Sequence, residues 1–187
     1  LSNEALVKQV GLDAGRALHG WTREAVGVVR QRIDQLGIDC QANDAGVLLA
    51  DWFSDDRALR DFQHRMAEML NFQLDWVDQT TCQKLIASKR YGAALHEPGS
   101  FHFHPLRYVQ GLIHALLQAG VSIYGQTPVE HLYPAPKTPS NTSKGWTLET
   151  PNITLHAEEV IVATGGYDTR LWPRLGRAIQ PIATYIA

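Results

Sequence analysis

Apolar residues recur at helical spacing in three stretches of the chain. Residues 4–36 read as largely helical, with Val26, Val29, Ile33 and Leu36 on one stripe; Gly11, Gly15 and Gly20 leave room for a break or a close approach. A second helix is predicted to start at Ser54 as N-cap, with Asp55 and Asp56 favoured by the positive end of the helix dipole. Its core stripe is Leu59, Phe62, Met66 and Leu70. The third covers residues 106–119, apolar at 106, 109, 112, 113, 116 and 117, with Pro105 as a first helical residue and Gly120 as the stop. Residues 78–86 predict a shorter helix. Strands are expected at 46–50, 91–96, 121–124 and 130–133. A polar linker, 139–145, leads into a hairpin, 146–150 with 153–156, turning at Pro151 and Asn152. Val160, Ile161 and Val162 are apolar on consecutive positions, as in a strand covered on both faces of a parallel α/β sheet. Residues 179–186 read as a last strand.

That penultimate run ends in Ala163, Thr164, Gly165 and Gly166, where a backbone without Cβ atoms can approach a ligand closely. Ligands of open α/β sheets sit beyond the carboxyl ends of the strands, so this turn is where one is expected. The alternative is an ordinary buried strand followed by a glycine turn.

Composition narrows the class. A chain of 187 residues can bury a core and form one or two domains. The net charge of −2 and the lack of any basic run argue against nucleic acid as a partner. No apolar stretch is long enough to span a bilayer and no signal peptide is evident, so a cytoplasmic location without a membrane span is expected. Cys40 and Cys82, with no Cys-x-x-Cys pair, suggest reduced thiols.

Three constellations carry possible chemistry. His96, Glu97, His102 and His104 surround Pro98 and Gly99; alternation would aim His102 and His104 the same way, which allows a metal site, a cofactor- or substrate-side loop, or plain surface histidines. No metal is assigned to them. Asp51, Asp55 and Asp56 could serve acid–base chemistry, but helix capping explains them. Trp52, Phe53, Phe72 and Trp76 could line a pocket, with a core role expected for at least two.

Residues 157–187, with the Ala163-Thr164-Gly165-Gly166-Tyr167 turn and Leu171-Trp172-Pro173, resemble a segment of the D-amino acid oxidase family of FAD-dependent amine and amino-acid oxidases. Upstream, the helix opened by His104-Pro105-Leu106-Arg107, then Ala119-Gly120-Val121 and Thr127-Pro128-Val129, follow a layout that family also shows. Gly37-Ile38-Asp39-Cys40 and Ala45-Gly46-Val47-Leu48 resemble its substrate-side sheet. The match looks closest to the branch containing gamma-glutamylputrescine oxidase.

The resemblance implies a mixed α/β chain: part of a Rossmann-like FAD-binding domain plus part of a sheet-based substrate domain. Residues 1–36 would be a helical segment on the FAD side, 37–103 part of the substrate domain, and 104–187 part of the FAD domain with its hairpin extension and return strand. It further implies FAD contacts from the backbone of Val129, Ala163, Thr164 and Gly165, an amine or amino-acid substrate, and no assignable catalytic side chain. The Gly-x-Gly-x-x-Gly loop that cradles a dinucleotide pyrophosphate does not occur in these residues. That lack disfavours a nicotinamide-dependent dehydrogenase. The expectation is an internal segment of a longer flavoprotein, inactive by itself and prone to self-association; a non-catalytic domain derived from a flavoenzyme is the alternative.

Overall fold

A computed structural model describes residues 2–53, 55–135, 145–166, 171–179 and 182. The chain divides into two compact units, residues 1–121 and 122–187.

The first unit opens with α1 (Asn3–Val10) and α2 (Leu12–Gln35). The break between them is Gly11, at φ +86, a conformation that costs an L-residue with a side chain and costs glycine nothing. Then follow β1 (Val47–Ala50), α3 (Asp56–Leu70), β2 (Asp75–Val77), α4 (Gln79–Ile86), β3 (Ala94–Glu97) and α5 (Pro105–Gln118). The strands form one antiparallel sheet in the order β1-β3-β2. Its register sets Leu49 and Trp76 on either side of Leu95.

Two clusters hold this unit. Leu59, Met66 and Leu70 of α3 pack with Leu74, Ala93 and Leu95, and Phe62, Phe72 and Trp76 close over them. Phe62 thus lies at the margin of the predicted stripe. A second cluster gathers Ile33, Ile38 and Cys40, covered by Val29, Phe101, Phe103, Tyr108 and Leu112. Through it α5 belongs to the first unit. Val26 and Leu36, expected on the same stripe as Ile33, stay substantially exposed.

Charge chemistry fixes the ends of elements. Asp55, not Ser54, caps α3, its carboxylate accepting from the Arg57 amide; Ser54 itself lies outside the described residues. Asp78 caps α4 by accepting from the Thr81 amide at 3.1 Å. At the other end of α3, Arg16 donates to the carbonyls of Glu68 and Met69, at 3.0 and 2.9 Å. A guanidinium there meets the negative end of the helix dipole and two carbonyls that lack intrahelical donors.

The second unit holds an antiparallel sheet of β4 (His131–Pro134), β5 (Trp146–Glu149) and β6 (Thr154–Ala157), in that order, and the short α6 (Pro173–Ala178). β5 and β6 are the expected hairpin. Trp146 meets Trp172 edge-on, with ring centroids 5.5 Å apart.

Several expectations need correcting. Residues 121–124 form no strand and lie exposed. Nor do residues 160–162: Ile161 is 92% exposed, and no described strand flanks it to supply a ladder. A consecutive apolar run is a buried strand only where neighbours cover both faces. All strand pairs among the described residues are antiparallel, so the parallel sheet that run suggested is not formed within them. The predicted strand at 179–186 and the linker at 139–145 fall mostly outside the described residues. Among the described residues no helix is long and apolar enough to cross a membrane.

Candidate functional site

The four residues expected at the cofactor all lie in the second unit. Val129, half-buried, stands two residues before β4, where Thr127 Oγ1 closes a turn on the Gly125 carbonyl at 2.9 Å. Ala163, Thr164 and Gly165 follow β6 and belong to no strand. All three are exposed. Gly165 sits at φ +59, and a Cβ built there meets no atom within 4 Å. The turn therefore presents unobstructed backbone, which fits a group bound through amides and carbonyls. A side chain at 165 would be opposed by the left-handed backbone, not by any neighbouring protein atom.

The histidine loop serves the fold. His96 hydrogen-bonds the Ala45 carbonyl through Nε2 at 2.9 Å, and its Nδ1 lies 3.9 Å from Asp75. His102 pairs its backbone with Asn43, and His104 caps α5, with Nδ1 3.5 Å from the Arg107 amide. Among the described residues no three metal-ligating side chains come together. Asp51 likewise closes a turn, accepting from the amides of Phe53 and Asp55. Of the four aromatics, Phe72 and Trp76 pack on the core, whereas Trp52 and Phe53 are exposed. Both cysteines are free and buried, and burial pushes the Cys82 thiol above its usual range, with Asp78 adding to the effect.

One constellation escaped the sequence reading. A hollow of about 290 Å³ opens between α2 and the turn after β3, lined by His19, Arg23, Phe72, Glu97 and Ser100 among others. Arg23 lies 4.7 Å over the Phe72 ring and donates to Glu97 at 3.1 Å. Burial pushes the Glu97 carboxyl up, but hydrogen bonds from Ser100, Arg23 and the Gly99 amide outweigh it and leave it below the ordinary glutamate value. His19 sits edge-on to Phe72, its Nε2 buried with no hydrogen-bond partner among the described residues. Burial, with Arg23 nearby, pushes its pKa below 6.5. His19 and Arg23 are one helical turn apart, but Phe72 and Glu97 are remote in sequence and carry no shared motif.

The described fold is a mixed α/β chain with small antiparallel sheets. Comparison with known proteins gives the family: residues 3–187 match the profile described as FAD dependent oxidoreductase, and the chain belongs to that family, whose cofactor is FAD. The gamma-glutamylputrescine oxidoreductase of Escherichia coli is 27% identical over 187 residues, covering 98% of this chain and 41% of its own length. A probable oxidoreductase, OrdL, of Haemophilus influenzae is 28% identical, with 96% and 41% covered. Among solved structures, glycine oxidase from Geobacillus kaustophilus superposes with a TM-score of 0.62 at 22% identity, covering 94% of this chain and 44% of that one. The amino acid oxidase NikD gives 0.61 at 17%, with 82% and 38% covered. These likenesses are of fold. The chain spans about two-fifths of the length of the curated relatives it matches.

Proposed function

We propose that this chain forms part of a flavoenzyme that oxidises the C–N bond of an amine or amino acid. In this reading the backbone of Val129, Ala163, Thr164 and Gly165 lies against FAD, residues 104–187 contribute to the cofactor side, and 37–103 to the substrate side. The observation that carries it is the turn at 163–165: exposed, unpaired in any strand, and open where Gly165 lacks a Cβ. The E. coli relative, by its name an oxidoreductase of gamma-glutamylputrescine, supports an amine as the substrate class. FAD, when bound, supplies hydride acceptance from the carbon beside nitrogen, with O2 or another acceptor taking the electrons afterwards. The contribution of these residues is to orient and enclose: amides and carbonyls of the turn fix the cofactor without a charged side chain.

The test is flavin content in the protein expressed from its complete gene. Wild type is expected to purify yellow and to release peroxide, or reduce a dye, with amines. Gly165→Val is expected to lose flavin, because the left-handed backbone at φ +59 resists a β-branched residue, which would also crowd the cofactor. A colourless wild type would leave the non-catalytic reading, and normal flavin in Gly165→Val would remove the turn from the site.

A further inference from the structure

The hollow between α2 and the turn after β3 is lined by none of the residues placed against FAD, and we propose that it binds a small monocarboxylate carrying an apolar or aromatic tail. The head of the site is an ion pair with unequal remaining capacity. Glu97 Oε1 already accepts from Arg23 Nη1 at 3.1 Å and from the Gly99 amide at 2.9 Å. That oxygen is occupied, and the Glu97 side chain is only 14% exposed. Arg23 has five N–H donors and among the described residues gives one side-chain hydrogen bond, to Glu97. Its side chain is 45% exposed, so the other donors can be reached, and the Phe72 ring beneath holds the guanidinium plane in one orientation. His19 Nε2, another residue lining this hollow, is buried without a hydrogen-bond partner among the described residues.

A site with surplus donors selects an acceptor. A planar guanidinium with a free edge matches a carboxylate in two parallel hydrogen bonds. An ammonium ligand would meet the full charge of Arg23 and find Glu97 Oε1 already occupied. The tail has its own place. A second hollow of about 300 Å³ shares Thr22, Val26 and Ser100 with the first and continues along α2 past Val29 to Phe101 and Phe103. Those two rings are stacked, with centroids 5.5 Å apart. Two hollows with shared lining residues, the first carrying the Arg23 head and the second lined by Val26, Val29, Phe101 and Phe103 among others, suit a carboxylate head and a ring-sized tail.

Phenylacetate is the probe, titrated into the full chain and followed by heteronuclear NMR, with phenethylamine and methyl phenylacetate as charge-reversed and uncharged controls. Phenylacetate is expected to give saturable shifts centred on Arg23, Phe101 and Phe103, and the controls none. Arg23→Lys keeps the charge but removes the fork, and is expected to weaken binding about tenfold. Glu97→Gln removes the competing anion and frees Arg23, and is expected to tighten binding. Circular dichroism establishes that each variant is folded; should Arg23→Lys unfold, Glu97→Gln decides. Equal binding of amine or ester, weaker binding by Glu97→Gln, shifts confined to other residues, or no saturable shift would each overturn the proposal.

Discussion

At the scale of single residues, His19 ties folding to pH. Its folded-state pKa lies below 6.5 because burial disfavours the imidazolium and Arg23 repels it. Between the two values the unfolded chain binds more protons than the folded one. Stability from this group is therefore complete above pH 6.5 and declines as pH falls through the lower folded value. Glu97, also depressed, acts in the same direction at more acid pH. Denaturant midpoints measured on both sides of pH 6.5 are expected to fall on acidification, and His19→Gln to flatten the upper part of that slope. A wild-type midpoint flat from neutrality down to pH 5 would contradict this. None of it was legible in the sequence, since a histidine on an amphipathic helix looks alike whether it faces water or Phe72. Gly165 was legible: a glycine after an Ala-Thr pair signalled a special backbone, and its φ of +59 agrees.

Elements were readable where local chemistry decides them. α5 begins at Pro105 and gives way before Gly120, because proline suits the first turn and glycine the stop. The hairpin of β5 and β6 turns at Pro151 and Asn152 for similar reasons. β2 was missed: three residues, Asp75, Trp76 and Val77, are too few to show a period, and they pair only because β3 lies alongside. The run at 160–162 failed in the opposite way. Its composition suits a buried strand, but a strand exists only with a partner. Two substitutions test what holds α3 in place. Leu95→Ala, at a site 1% exposed, is expected to cost about 2–5 kcal/mol by leaving a cavity against Met66 and Leu59. Arg16→Ala removes two charge-assisted bonds to the last carbonyls of α3 and is expected to cost about 1 kcal/mol, since the contact is exposed. Urea unfolding with unchanged m-values measures both; an Arg16→Ala midpoint equal to wild type would mean that water replaces the guanidinium freely.

At the scale of the whole molecule, family membership and cofactor capacity separate. The contacts proposed toward FAD are backbone groups at Val129 and at 163–165, with no Gly-x-Gly-x-x-Gly loop in these 187 residues to hold a pyrophosphate. Helix-terminal amides in such a loop provide anion binding that a few dispersed contacts do not. Four backbone contacts at about 1 kcal/mol each fall well short of the roughly 8 kcal/mol that micromolar affinity requires. Ile161, Leu106, Val109, Leu116 and Leu117 are exposed apolar side chains, surface of the kind through which copies can associate. Titrating the purified 187-residue chain with FAD is therefore expected to leave flavin fluorescence unquenched at micromolar concentrations, with no peroxide released from a panel of amines. Sedimentation of the same sample is expected to show concentration-dependent self-association. Micromolar quenching would mean that these residues alone grip the pyrophosphate through backbone outside the turn at 163–165, and would move the search for the phosphate site to the α2 and α5 N-termini.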